Sequence, residues 1–88
     1  MYVYAVIQHQ EDDFEYNNST VCLYTSEEMA TEKARELNKE YGTTDQCEFD
    51  ENWDFVDFTE KGEDMCQAHY YTVETERVYD NLEDTKLI

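Results

Sequence analysis

Acidic side chains outnumber basic ones by 23 to 6 in this 88-residue chain, which gives a net charge of −17 at neutral pH. Such a chain can fold only if most of its carboxylates stay in water, because an unpaired charge is strongly disfavoured in a protein interior. A chain this short forms one domain with a small core. We therefore expect a single domain over residues 1–88, in which 80–88 is either a flexible tail or a strap over a sheet.

The hydrophobic residues indicate that the chain folds despite its charge. They make up 40% of the sequence, and 15% of all residues are aromatic, whereas disordered acidic segments are poor in aromatics. The first residues lack the basic start and small-residue cleavage site of a signal peptide. No apolar run approaches the roughly 20 residues that a membrane span needs. We expect a soluble intracellular protein in which Cys22, Cys47 and Cys66 are reduced.

Hydrophobic periodicity predicts two strands at the start of the chain. Residues Tyr2–Gln10 are rich in strand-forming side chains, and a polar loop over 11–19 leads to a second strand over Thr20–Tyr24. Because the loop is too short for a helical crossover, the two strands should be antiparallel.

The next segment predicts a helix over about 26–41. Thr25 and Glu28 have the spacing of a capping box, so Thr25 is the expected N-cap. Arg35 lies within reach of helix glutamates one turn away, so the helix should partly neutralise its own charge. Gly42 stands where a left-handed residue would end the helix. The face expected to contact the sheet consists of Ala30, Ala34, Leu37 and Tyr41.

Residues 45–64 hold much of the acidic excess. Nine of these twenty residues are acidic, only Lys61 is basic, and aromatic side chains between the acids can anchor the segment to a core. A strand over Trp53–Thr59 that turns at 60–63 and pairs with a strand over Cys66–Tyr79 is the favoured interpretation. A short helix near Asp50–Lys61 is the alternative. The expected fold is α+β, an antiparallel sheet of three to four strands with one helix packed on one face, in the order β-β-α-β-β.

The sequence offers weak candidates for metal binding. Cys66-x-x-His69 could form a zinc site with Cys47 and His9, but no CxxC pair supports it, and small core residues are the favoured interpretation.

A calcium loop is disfavoured as well. Asp50-x-Asn52-x-Asp54 matches the start of an EF-hand loop, but Phe55 and Lys61 stand where that loop requires Gly and Glu. The chain also has no nucleophile elbow, P-loop or glycine-rich turn. We predict no catalytic residues, no metal site and no cofactor, and therefore not an enzyme.

The density of negative charge indicates another kind of function. Duplex DNA carries one charge per about 1.7 Å of axis, so 17 charges correspond to about 29 Å of duplex. A compact domain of this length has a diameter near about 30 Å. Such a surface repels nucleic acid and anionic membranes, which disfavours both as partners. It can instead compete with DNA for a basic groove, while a surface that serves only solubility is the alternative.

The acids of the first loop and of residues 45–64 are predicted to bind this basic partner. They are Glu11, Asp12, Asp13, Glu15, Asp45, Glu48, Asp50, Glu51, Asp54, Asp57, Glu60, Glu63 and Asp64. The tyrosines of the expected strands are interpreted either as half-buried sheet residues or as aromatic interface anchors. They are Tyr2, Tyr4, Tyr24, Tyr70, Tyr71 and Tyr79.

In size, charge and layout the chain resembles small bacteriophage early proteins. The resemblance is carried by the opening strand, the strand-to-helix step over Leu23–Glu28, the helix over Ala30–Asn38 and the closing strand over Tyr70–Glu74. Within that group the chain is similar to acidic DNA mimics that act in host takeover, and the nearest fit is the Bacillus-phage inhibitor of the nucleoid protein HU.

The resemblance implies a mode of action. It implies binding to the DNA-binding surface of HU or a similar basic host protein, in the host cytoplasm and at the nucleoid through that target. The alternative is an anti-defence or other phage protein that binds a non-DNA-related host protein or a small ligand through its aromatic sheet face. A homodimer is compatible with both interpretations.

Overall fold

The computed structural model describes residues 2–11, 15–59 and 67–78. Their elements are, in chain order, β1 (Tyr2–Glu11), β2 (Tyr16–Tyr24), α1 (Glu27–Tyr41), β3 (Cys47–Phe49), β4 (Phe55–Phe58) and β5 (Ala68–Arg77). The fold is α+β, as the sequence predicts. The expected turn at 60–63 and the segment 80–88 lie outside the described residues.

β1 is the middle strand of an antiparallel sheet with the order β2-β1-β5. The predicted antiparallel pairing of the first two strands is confirmed, but β2 begins at Tyr16, opposite Glu11, and not at Thr20. The polar residues before Thr20 extend the ladder because backbone pairing does not require apolar side chains. The register shifts between Val6 and Ile7, as in a β-bulge.

The predicted pairing of the late strands is wrong. β5 pairs with β1 along its whole length, from Tyr2↔Arg77 to Glu11↔Ala68, while β4 pairs with β3. Both β1 and β5 have ten residues, so their pairing bonds a longer stretch of backbone than the four residues of β4 could. The predicted strand near Trp53–Thr59 is confirmed over Phe55–Phe58, and the described residues 50–59 contain no helix.

The helix and the sheet share a small core. Val6 of β1 and Tyr71 of β5 cluster with Ala30, Ala34 and Leu37 of α1. The two alanines are small enough to let a helix backbone approach the sheet, which suits a chain with few large apolar residues. The predicted buried face of the helix is thus confirmed at these three positions.

Position 41 does not belong to the buried face, and position 38 replaces it. Tyr41 is 54% exposed, whereas Asn38 is 1% exposed. Asn38 Nδ2 donates to the carbonyls of Tyr71 (3.1 Å) and Trp53 (2.9 Å), and its Oδ1 accepts from the Tyr71 amide (2.7 Å). β5 is an edge strand of the described sheet, so the side chain bonds Tyr71 as a neighbouring strand would.

Both helix ends differ from the sequence prediction. Ser26, and not Thr25, is the N-cap, and its hydroxyl accepts from the amide three residues on (3.4 Å). Gly42 has φ −63°, so it is not left-handed. A Cβ at this position would collide with the carbonyl oxygen of Asn38 and lie 2.9 Å from Cζ of Phe49. Gly42 is therefore required for space, where β3 approaches the end of the helix.

Candidate partner-binding surface

β3, β4 and the turn between them, residues 47–58, form an acidic hairpin with aromatic side chains on its inner side. The Phe55 ring stacks on Tyr70 of β5 with 3.7 Å between centroids and 7° between planes. The expectation that aromatics anchor this segment is confirmed. The second core that they form contains Cys47, Ala68 and Tyr70, with Phe49, Phe55 and Phe58 packed against it.

The outer side of the acidic hairpin places two carboxylates opposite each other. Glu48 and Asp57 are direct cross-strand partners, and both are exposed. Like charges at directly opposed positions destabilise a sheet, by up to about 1 kcal/mol. No basic residue occurs between 45 and 59 to offset them. We therefore expect this pair to oppose the pairing of β3 with β4.

The turn of the acidic hairpin uses one of its acids structurally. Asp50 Oδ1 accepts from the amides of Asn52 (2.8 Å) and Asp54 (3.0 Å). Trp53 has φ 67°, the left-handed region that non-glycine residues rarely adopt. Its amide donates to the carbonyl of Asp50 (3.0 Å), and its carbonyl is held by Asn38. Asp50 therefore shapes the turn that presents Glu51.

Asp54 is neutralised within the protein. Arg35 donates from Nε to Oδ1 (2.9 Å) and from Nη2 to Oδ2 (3.0 Å), so both carboxylate oxygens are engaged. The hydrogen bond and charge of Asp54 raise the pKa of the Arg35 guanidinium. The sequence assigned Arg35 to helix glutamates. It forms a two-point ion pair with Asp54 of the acidic hairpin instead, in which the Nε–H and Nη2–H donors on one side of the guanidinium match the two carboxylate oxygens.

The structure brings together only part of the predicted site. Glu48, Asp50, Glu51 and Asp57 lie on the acidic hairpin with their carboxylates exposed. Glu11 is half-buried at the end of β1, whereas Glu15 and Asp45 are exposed. The predicted site residues outside the described part of the chain are Asp12, Asp13, Glu60, Glu63 and Asp64.

The metal sites considered from the sequence gain no support from the described residues. Within the described ranges no three His, Cys, Asp or Glu side chains are grouped closely enough to hold a metal ion, and Cys66 lies outside them. Asp50 and Asp54 of the EF-hand-like stretch are bonded to turn amides and to Arg35.

His9 links all three strands of the main sheet. Its ring contacts the Tyr16 hydroxyl of β2 through Nδ1 and the Thr72 hydroxyl of β5 through Nε2 (2.6 Å). It also stacks on Tyr70 with 4.6 Å between centroids. Burial lowers the pKa of His9, against the opposing effect of Glu74 and Glu11. The residue is thus a structural connector, a role that its isolated place in the sequence does not reveal.

Most of the described strand tyrosines are sheet residues. Tyr70 and Tyr71 are buried, and Tyr4 and Tyr24 are partly buried against the helix core. Tyr2 is 56% exposed and remains available as an interface residue. Tyr79 lies outside the described residues.

The described residues carry most, but not all, of the negative charge. The described residues hold 15 of the 23 acids and 4 of the 6 bases, so they carry −11 of the net charge of −17. The rest of the charge lies outside the described residues, and the charge per length expected from the sequence stays a prediction.

No family model, curated protein or solved structure matches this chain. The bacteriophage resemblance therefore stays a prediction from layout and charge. In the described part of the chain, no helix has the length and apolarity needed to span a membrane.

Proposed function

We propose that this protein is a DNA mimic that binds the basic DNA-binding surface of a nucleic-acid-binding protein and blocks its binding to DNA. The first target to test is the bacterial nucleoid protein HU. The observation that supports this most is the acidic hairpin, on which Glu48 and Asp57 are exposed and directly opposed cross-strand partners. A like-charge pair retained at a cost in stability is expected where the charges serve binding.

The anchoring of the acidic hairpin also supports the proposal. Its inner aromatic residues pack on β5, and Asn38 and Arg35 fasten its turn to the helix. Carboxylates on a fixed scaffold lose less entropy on binding than carboxylates on a flexible tail. Electrostatic complementarity to a basic groove then predicts fast association that weakens with salt.

The proposal is tested by displacing a fluorescent duplex from purified HU at low salt, followed by anisotropy. The test variant, called the hairpin variant, carries Glu48→Gln, Glu51→Gln and Asp57→Asn. Asp54 is left unchanged because Arg35 already neutralises it. The matched control carries Glu28→Gln, Glu32→Gln and Glu40→Gln, the same change in charge on exposed positions of α1.

We expect the wild-type protein to displace the duplex and the hairpin variant to require at least about tenfold more protein. The helix control should stay within about threefold of wild type. Equal losses in the two variants would show that total charge, and not the acidic hairpin, drives binding. No displacement by the wild-type protein would exclude HU as the target.

One observation favours a second function, binding of a protein unrelated to DNA. The nine residues of β2 carry no charge, and seven of them are exposed along an edge of the described sheet. An uncharged edge strand can accept a strand from another protein. In that case Ser19→Lys on β2 should abolish binding of the partner, whereas the hairpin variant should bind almost normally.

A further inference from the structure

β2 forms an edge of the main sheet, and it is open to a further strand. Among the described strands it pairs only with β1, so the backbone groups on its outer side have no strand partner within the described part of the chain. Seven of its nine residues are exposed. A row of unpaired N–H and C=O groups on an edge strand is a template for pairing with another chain.

The opposite edge of the sheet, β5, is occupied and charged. The amide and carbonyl of Tyr71 bond the Asn38 side chain, and the carbonyl of His69 accepts from the Thr43 amide (3.1 Å). The second half of β5 carries three charged side chains. Charges and covering contacts of this kind protect an edge against pairing. The two edges of the sheet therefore differ in whether a strand can be added.

β2 has little protection of its own. Among the elements of the described residues it alone has no charged side chain, although a third of the whole sequence is charged. Its protective feature is the bulge at Val21, which leaves Tyr16–Thr20 as a regular stretch of ladder. Large apolar side chains are also exposed on it, those of Tyr16, Val21 and Leu23.

The charge of the molecule indicates what can cover this edge. Two copies, each with a net charge of −17, repel each other wherever their carboxylates meet. Antiparallel pairing of β2 with β2 of a second copy places the two-fold axis near Thr20 and sets nine uncharged residues against the same nine. The strand has no charge that would select a foreign partner, whereas it is complementary to itself. A second copy of this chain therefore fits the edge best.

We propose that two copies of this protein associate by antiparallel pairing of their β2 strands, which joins the two sheets into one sheet of six strands. The acidic hairpin packs on β5, so the dimer carries one hairpin towards each end of this sheet. Neighbouring strands lie about 4.8 Å apart, which places the two β5 strands about 24 Å apart. The inference goes beyond the proposed function and does not depend on it, because self-association requires no DNA-binding partner.

Self-association is measured by sedimentation velocity of the full chain, from about 5 to about 500 µM protein. A reductant is present so that the free thiol of Cys22 cannot crosslink two copies. We expect a reversible change from one chain to two, with a dissociation constant on the order of 10–100 µM, since one pair of strands is a small interface.

Salt distinguishes this association from binding to a basic partner. Raising sodium chloride from about 20 to about 200 mM should strengthen the dimer at least about threefold, because it screens the repulsion between two negative molecules. The same change weakens association with a basic protein. Failure of the dimer and failure of the proposed function are therefore separate results.

Two pairs of variants test the interface. Ser19→Glu brings two carboxylates together near the two-fold axis and should weaken the dimer at least about tenfold, whereas Met29→Glu adds the same charge at an exposed position of α1 and should stay within about threefold of wild type. Leu23→Thr should weaken the dimer about fivefold. Its control is Val56→Thr on β4, where the exposed fraction is similar (60% against 57% for Leu23), and it should have no effect. The second pair keeps the test decisive if Ser19→Glu folds poorly.

Hydrogen exchange locates the contact. Backbone amides of β2 should exchange more slowly at about 500 µM than at about 5 µM protein, while those of β4 should not change. A protein that stays monomeric over this range at about 200 mM salt would overturn the proposal. So would a dimer whose added protection lies outside β2, or one that Ser19→Glu weakens no more than Met29→Glu does.

Discussion

A single asparagine holds the helix, the edge strand and the acidic turn together. Asn38 bonds the backbone of Tyr71 and of Trp53 from a nearly fully buried position. Periodicity of apolar residues could not identify it, because that signal counts only hydrophobic side chains. Its position, four residues after Ala34 and next to Leu37, did place it on the buried face. The signal in the sequence was therefore a polar residue at a helix position whose spacing matches that of the buried residues.

Asn38→Leu should destabilise the protein strongly. Leucine has a similar size but leaves the buried amide and carbonyl of Tyr71 without partners, so the free energy of unfolding should fall by about 2–4 kcal/mol. Urea unfolding followed by circular dichroism measures this. Lys39→Ala, on the exposed side of the helix, is the control and should change it by less than about 0.5 kcal/mol. A similarly small change for Asn38→Leu would contradict the role assigned to the side chain.

His9 should make stability depend on pH. Burial lowers its pKa in the folded state below 6.5, so the unfolded chain binds a proton more readily. The contribution of neutral His9 to the free energy of unfolding is therefore fully present above pH 6.5. It is lost as the pH falls from 6.5 towards the lower pKa of His9 in the folded state. Glu74 and Glu11 act in the opposite direction and reduce the effect.

The measurement compares wild type with His9→Gln by urea unfolding at about pH 7 and about pH 5.5. Carboxylates titrate in both proteins, so the difference between them isolates His9. We expect the stability advantage of wild type over the variant to shrink at the lower pH. An advantage that grows on acidification would show that the folded state favours the charged imidazole.

At the scale of elements, local patterns were predicted and long-range pairing was not. The strand at Tyr2–Glu11 and the helix at Glu27–Tyr41 follow from periodicity within each segment. β3 has three residues, which is too short for any periodic signal, so no strand was expected there. Because β3 was not expected, the later strand β5 was the predicted pairing partner of β4. Strand choice depends on matched lengths and on the packing of distant residues, which a single sequence does not display.

Asp57→Asn should stabilise the acidic hairpin and weaken binding. It removes the repulsion from Glu48, while the amide oxygen can still accept from the Phe58 amide, as Oδ1 does at 2.8 Å. We expect the free energy of unfolding to rise by up to about 1 kcal/mol, measured by urea unfolding. Displacement of DNA from the target should need more protein than with wild type. A loss of stability would show that the opposed carboxylates do not repel in the folded state.

At the scale of the molecule, the net charge is known from the sequence, but which carboxylates are free to meet a partner is not. The sequence located the acidic surplus in residues 45–64. Which charges face water required the structure, because Asp54 is paired with Arg35 and Asp50 bonds the turn amides. Tertiary contacts and shape are not encoded in composition.

Salt should affect folding and binding in opposite directions. At −17 the folded protein repels itself, so raising sodium chloride from about 20 to about 200 mM should increase the free energy of unfolding. The same change should weaken association with a basic partner, since both charged surfaces are screened. Urea unfolding and anisotropy titrations at matched salt measure the two effects. If stability fell with salt, attractive pairs would dominate the surface instead.

The most direct test of DNA mimicry is capture from a bacterial lysate at low salt, with and without duplex DNA as competitor. The immobilised protein should retain basic DNA-binding proteins, and added duplex should release them in a concentration-dependent way. The hairpin variant, with Glu48→Gln, Glu51→Gln and Asp57→Asn, should retain much less, and the helix control about as much as wild type. Partners that stay bound at any duplex concentration, or that the hairpin variant captures equally well, would contradict the account.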